Sequence, residues 1–173
     1  LTFNYNTLNS RLRPTRGETI SWTTEFAGLG GDVKYVRSRA RAGKYWPVGA
    51  GFIFSITGEG GWIRSLEDNN VAGQDDVRLT DRFFLGEPQM RGFDIRGVGP
   101  RIVRLQYLNE DGDDTTPLVP QTIEEALASD NRVDDALGGK AYYLGRAELE
   151  IPLGSGAREM GLRPSIFLDV GSL

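Results

Sequence analysis

The sequence predicts an all-β fold: an antiparallel transmembrane β-barrel segment of about six strands with one long extracellular loop containing a short helix. Three observations carry this. Apolar and polar residues alternate through several stretches, as in Ile20, Trp22, Thr24 and Phe26 against Thr19, Ser21, Thr23 and Glu25. No window approaches the roughly 18 consecutive apolar residues of a membrane helix. Mean hydropathy is −0.35, as expected when only every second residue of a strand meets lipid. Finally, some connections between alternating stretches are very short and one is very long, the pattern of periplasmic turns and external loops.

Taken in order, residues 2–8 read as a strand ending before Arg13-Pro14-Thr15-Arg16-Gly17, which holds the Pro and Gly of a turn. A two-faced strand follows over 18–27, then a turn at Gly28-Leu29-Gly30-Gly31-Asp32. Over 33–46, Val36, Ser38, Ala40, Ala42 and Trp46 share one face and Arg37, Arg39 and Arg41 the other. Three arginines in line suit a wet, charged barrel interior as well as a solvated sheet face. Tyr45-Trp46-Pro47 fits an aromatic girdle at the membrane interface, with a short turn at Pro47-Val48-Gly49. The strand over 50–63 places Phe52, Phe54, Ile56 and Trp62 together, opposite Ser55, Thr57 and Glu59.

A long loop occupies 65–140. Within it, Thr122 and Glu125 form a capping-box pattern that predicts a short helix from Ile123 to Ala128, and a second turn of helix is expected to end at Gly138-Gly139. The strand over 141–153 sets Tyr143, Ala147, Leu149, Ile151 and Leu153 against Arg146, Glu148 and Glu150. After a turn at Gly154-Ser155-Gly156, the strand over 162–171 sets Ile166, Leu168 and Val170 against Arg163, Ser165, Phe167 and Asp169.

Composition narrows the chemistry. Among 173 residues there is no Cys and no His, which removes disulfides, thiol or imidazole catalysis and Cys/His zinc sites. A net charge of −4 argues against a nucleic-acid partner, which would call for a basic face. Asp75-Asp76, Asp111-Asp113-Asp114 and Asp134-Asp135 lack the spacing of a dedicated calcium loop and read as solvated external loop. Gly97-Val98-Gly99 has no helix after it and is a poor phosphate cradle. Glu148 and Glu150 have the spacing of an acid–base pair, yet Arg146 and strand parity make an interior ion-pair network the simpler account. No enzymatic activity and no cofactor are expected. Leu1 and the absence of a leader-like segment suggest a mature or excised piece.

The richest stretch is Gln89-Met90-Arg91-Gly92-Phe93-Asp94-Ile95-Arg96-Gly97-Val98-Gly99-Pro100-Arg101. It resembles the V-R-G-F/Y motif of the BamA family, with Met90 where Val is usual. Tyr5-Asn6-Thr7-Leu8, Arg13-Pro14-Thr15-Arg16-Gly17 and Phe167-Leu168-Asp169-Val170-Gly171 also resemble family segments, so the similarity runs through nearly the whole chain. It implies part of the second half of a sixteen-stranded barrel, without the amino-terminal POTRA domains or the closing strands, and with fewer strands than the eight of the smallest closed barrels.

The resemblance further implies that the loop folds into the lumen and that Arg91 meets acidic residues of the two following strands, Glu150 and Asp169. Glu148, Arg96 and Arg101 are secondary candidates. Phe93 is expected to pack on the inner wall and Gly92 to let the backbone approach it. Such barrels assemble other barrels, a client strand pairing with an exposed edge. The implied partners are unfolded outer-membrane protein clients, outer-membrane lipids and, through domains beyond this segment, assembly-complex lipoproteins. This segment would supply back wall and loop in the bacterial outer membrane. Two alternatives stay open: a translocation sibling of the TamA or two-partner secretion type, and a soluble sandwich or lipocalin-like binder.

Overall fold

The computed structural model describes residues 1–28, 30, 33–67, 75–103, 107–108, 119–120, 122–124, 134–153 and 161–173. Six strands form one antiparallel sheet: β1 (Thr2–Asn6), β2 (Gly17–Ala27), β3 (Tyr35–Gly49), β4 (Phe52–Ser65), β9 (Ala141–Glu150) and β10 (Ser165–Ser172), hydrogen-bonded in that order. Among its described residues, the 66–140 connection has four short strands that pair among themselves. These are β5 (Arg101–Val103) with β8 (Asp134–Ala136), and β6 (Tyr107–Leu108) with β7 (Val119–Pro120).

Register separates the two parity sets across the whole sheet. Glu25 lies opposite Arg37, Arg41 opposite Glu59, and Arg146 opposite Asp169. Directly opposed side chains project from the same side of a sheet, so these charges share one face with Arg39, Glu148 and Glu150. The other face carries the apolar rows, such as Phe3, Trp22, Ala40, Gly60 and Tyr143, or Trp46, Phe54, Leu149 and Ile166. On that face Ser38 is buried, its hydroxyl accepting a 2.7 Å bond from Trp22 Nε1, which removes the penalty of an unpaired polar group.

Among the described residues few apolar side chains are buried, and none of them belongs to the apolar face of the sheet. Ile63, Val77 and Phe83 form a cluster with Tyr35, Tyr142 and Leu173 around it, and Leu85 and Met90 are also buried. In a barrel wall the apolar face meets lipid, so the buried apolar cluster forms where Val77 and Phe83 of the long connection lie against the polar, inner face.

Several expected details change. The hairpin between β3 and β4 turns at Ala50 (φ 48) and Gly51 (φ 85), not at Pro47-Val48-Gly49. Both residues adopt positive φ, which matches the right-handed twist of the flanking strands. Pro47 stays in β3 beside an irregularity in register, and Tyr45 lies on the inner face, so of the two expected girdle aromatics only Trp46 is on the outer face, stacked on Phe54 at 5.8 Å. The helical turn expected before Gly138-Gly139 is the strand β8 instead. Beyond its first two residues, the expected helix from Ile123 to Ala128 lies outside the described residues, as do Asp111, Asp113, Asp114 and the Gly154-Ser155-Gly156 turn.

Candidate functional site

Among the described residues, the long connection meets the inner face at two points. At its root, Phe83 pairs backbone to backbone with Gly139, each N–H donating to the other's carbonyl at 2.9 Å. The ring of Phe83 lies 4.8 Å from that of Tyr142, and the guanidinium of Arg39 covers it at 5.2 Å. Gly61 makes room for both rings: a Cβ there would sit 2.7 Å from Tyr142 and 3.0 Å from Phe83. Tyr142 donates its hydroxyl to Glu59, which also holds Arg41.

Asp75 steadies the same root. Its carboxylate takes Lys140 Nζ at 2.6 Å and Arg82 Nη2 at 3.0 Å, while Arg82 also donates to the carbonyls of Val77 and Leu137. Asp75 is therefore a paired group, not the solvated loop acid expected. Its bond with Lys140, aided by the Val77 N–H and Arg82, holds its carboxyl below the usual carboxylate range. A depressed folded pKa contributes stability above the unfolded value, and that contribution disappears as pH falls through the folded one. The resistance of the loop root to proteolysis should thus exceed that of Asp75→Asn at neutral pH. The two should converge below about pH 4; a pH-independent difference would remove Asp75 from the root.

At the tip, residues 86–97 form a closed loop whose neck is bridged by Leu85 and Val98. Inside it, Met90 N donates to Gly86 O and Gly97 N to Asp94 O, both at 2.8 Å. Gly86 is the close-approach glycine, since a Cβ there would lie 2.3 Å from Asp94 O. This compact turn presents Arg91 to the wall. Arg91 Nε donates to Asp169 Oδ2 at 2.9 Å, Nη2 to Asp169 Oδ1 at 3.0 Å, its backbone N–H to Oδ2 at 3.3 Å, and Nη1 to Glu148 at 3.4 Å. Its guanidinium also lies 3.3 Å from the centre of the Phe167 ring. From the next strand, Arg146 donates to Asp169 at 2.9 Å and to the Gln89 carbonyl at 2.7 Å. The Asp169 side chain is only 4% exposed. Its carboxylate raises the already high pKa of Arg91, so that the clasp stays charged on the loop side.

The expected residues are distributed unevenly. Arg91 and Asp169 meet, but Glu150 does not join them: it lies nearer the end of β9, 3.9 Å from Arg163, and Glu148 takes its place. Strand parity fixes the face of a side chain but not its depth, and residues two apart sit about 6.5 Å apart along a strand. Phe93 is 45% exposed, whereas Met90 is buried. Gly92 has φ 84 and open space around it, so it reverses the chain rather than permitting close approach. Arg96 and Arg101 hold the loop to itself, Arg96 covering Phe84 at 4.6 Å and Arg101 donating to the Arg96 carbonyl. Phe83, Gly61, Tyr142 and Arg146 were missed as partners of the loop. One signal was present: Ile63, Tyr142 and Phe167 are apolar or aromatic residues at inner-face parity, where only protein can cover them.

A sheet with one apolar face, and a long loop clasped to its charged face, is the arrangement of a barrel wall. Residues 1–173 match the Omp85 superfamily domain. The chain belongs to the Omp85 superfamily. Among similar proteins, the outer membrane protein assembly factor BamA of Neorickettsia risticii (strain Illinois) is 31% identical over 179 residues, covering 97% of this Omp85 chain and 18% of that protein. The sorting and assembly machinery component 50 homolog of Mus musculus is 28% identical over 171 residues, covering 95% of this chain and 29% of that protein. The chain therefore spans under a third of the length of these relatives. Both are named for assembly, and neither for a bond-making or bond-breaking reaction. A crystal structure of BamA from Haemophilus ducreyi lacking POTRA domains 1–3 shares the fold, with a TM-score of 0.69 at 23% identity over 99% of this chain and 28% of that one. The six strands are thus part of an antiparallel outer-membrane β-barrel.

Proposed function

We propose that this chain forms part of the wall and lumen loop of an outer-membrane protein assembly factor, which folds and inserts barrel clients into the membrane. The supporting observation is the clasp of Arg91 on Asp169 and Glu148, which ties a connection of the barrel to two adjacent wall strands. A wall that guides client strands must deform without losing its own register, and a charged clasp across β9 and β10 resists slippage while lumen water keeps it breakable. The end of the sheet that carries the root of the long connection then faces the cell exterior, with the Arg91 tip reaching from there onto the lumen wall, and the turns at residues 7–16 and 50–51 face the periplasm. Its partners are unfolded outer-membrane proteins, the surrounding lipids and, through the rest of the protein, assembly-complex lipoproteins. No nucleotide or metal is needed, since backbone pairing and burial of the lipid face drive insertion.

Reconstitution tests this reading. The full-length protein in lipid vesicles should insert an unfolded outer-membrane barrel faster than vesicles alone, scored by heat-modifiable gel mobility. A correctly folded protein that gives no acceleration overturns the proposal; passage of a soluble client across the bilayer without insertion reassigns it to translocation.

A further inference from the structure

At the end of the sheet opposite the long connection, residues 7–16 join β1 to β2 in a turn that is held from within. Asn9 Oδ1 accepts from the backbone N–H of Thr15 (3.0 Å) and Arg16 (3.2 Å), its Nδ2 donates to Thr15 Oγ1 (2.8 Å), and Ser10 Oγ accepts from Arg13 N (3.1 Å). Gly17 closes the turn at φ 106, where a Cβ would strike the Thr7 carbonyl at 2.4 Å. Residues 10–15 are therefore presented as a fixed tip. That tip leans over the inner face: Pro14 borders recesses shared with Ile53, Glu148, Glu150 and Arg163.

The tip carries Arg11, Arg13 and Arg16, all exposed, and Leu12 at 93% exposure. None of the three guanidiniums has a carboxylate partner among the described residues, whereas Arg37, Arg41, Arg91 and Arg146 on or against the inner face each hold one. Three unpaired positive charges within six residues stand out in a chain of net charge −4. Like charges held together by backbone bonds repel one another, and an opposing negative surface relieves that repulsion while gaining attraction. Arg13, Pro14 and Thr15 border recesses of the inner face rather than the apolar one, which favours a protein partner at the mouth of the barrel over lipid headgroups.

We propose that this turn is a docking surface for an acidic segment of a soluble protein domain at the periplasmic mouth of the barrel, with Leu12 as its apolar contact. Recognition rests on the three guanidiniums, which can fork onto carboxylates. The proposal goes beyond the assembly reading and rests on it only for the orientation that puts this turn at the periplasmic end.

A photo-crosslinking residue in place of Leu12, in the full-length protein in its native membrane, tests it. The captured peptide, sequenced by mass spectrometry, should be net acidic. Its yield should fall roughly tenfold when Arg11, Arg13 and Arg16 are all changed to Glu, and less when all are changed to Gln. Reversing the charges of the captured segment should restore capture by the Glu variant. Unchanged heat-modifiable mobility shows that each variant is folded. Crosslinking to lipid alone, no crosslink, capture insensitive to both sets of substitutions, or failure of the reversed segment to restore it would each overturn the proposal.

Discussion

Asp169→Ala is expected to destabilise the docked barrel more than Arg91→Ala, although the loop motif is built around the arginine. Asp169 accepts bonds from Arg91 and Arg146 at once, and its side chain is nearly inaccessible. Removing it leaves two guanidiniums on one patch of wall without their shared counter-charge. Breaking a buried pair in this way costs on the order of 3–5 kcal/mol, less where lumen water reaches the site. Arg91→Ala leaves Asp169 still bound to Arg146, so its loss should fall below that range. Arg91→Lys should restore only part, because an ammonium cannot span Asp169 and Glu148 as a guanidinium does. The temperature of the heat-modifiable gel shift and the rate of client insertion, measured on the full-length protein, give the order. A double-mutant cycle between Arg91 and Asp169 with no coupling would return Arg91 to the class of solvated loop arginines.

Phe83→Ala should detach the root of the connection. Phe83 is 4% exposed and fills the space that Gly61 leaves open beside Tyr142. Truncating a buried Phe typically costs about 3–5 kcal/mol. Here the loss should appear as protease cleavage of the connection, with the lipid-facing wall intact. Gly61→Val should reach a similar end from the other side, by filling the space that the two rings occupy. A connection as protease-resistant in Phe83→Ala as in the wild type would show that the tip alone holds it.

The wall was legible in the sequence because period-two alternation runs through its strands, where lipid on one side and water on the other impose opposite demands. Trp22, Phe54 and Leu168 against Arg39, Glu148 and Asp169 needed no further information. What alternation cannot express is depth: it offers Glu148 and Glu150 alike, and it was the family resemblance that pointed to Glu150 beside Arg91, where the structure has Glu148. Alternation also misses local backbone choices, such as Ala50 taking a left-handed conformation so that Pro47 remains in a strand. Within the loop, Phe93 looked like an anchor because aromatic residues usually seek cover, yet the buried side chain is Met90, whose flexible thioether fills an irregular gap. Phe83 carried no motif. Its significance depends on Gly61 and Tyr142, and the strand pairing that sets those two residues side by side lies beyond the reach of a local pattern.

The clasp joins residues 78 apart in sequence, and this separation gives it a part in how the barrel is made. Closing so large a loop is slow compared with forming the hairpins on either side. Arg91 therefore arrives after β9 and β10 have met. If β10 slips by one residue against β9, every side chain changes face. Asp169 then points to lipid, Leu168 or Val170 fills its place, and Arg91 finds no carboxylate. Only the correct alignment completes the ion pairs, so the loop tip serves as a proofreader of the wall it rests on, withholding its binding energy from a misregistered barrel.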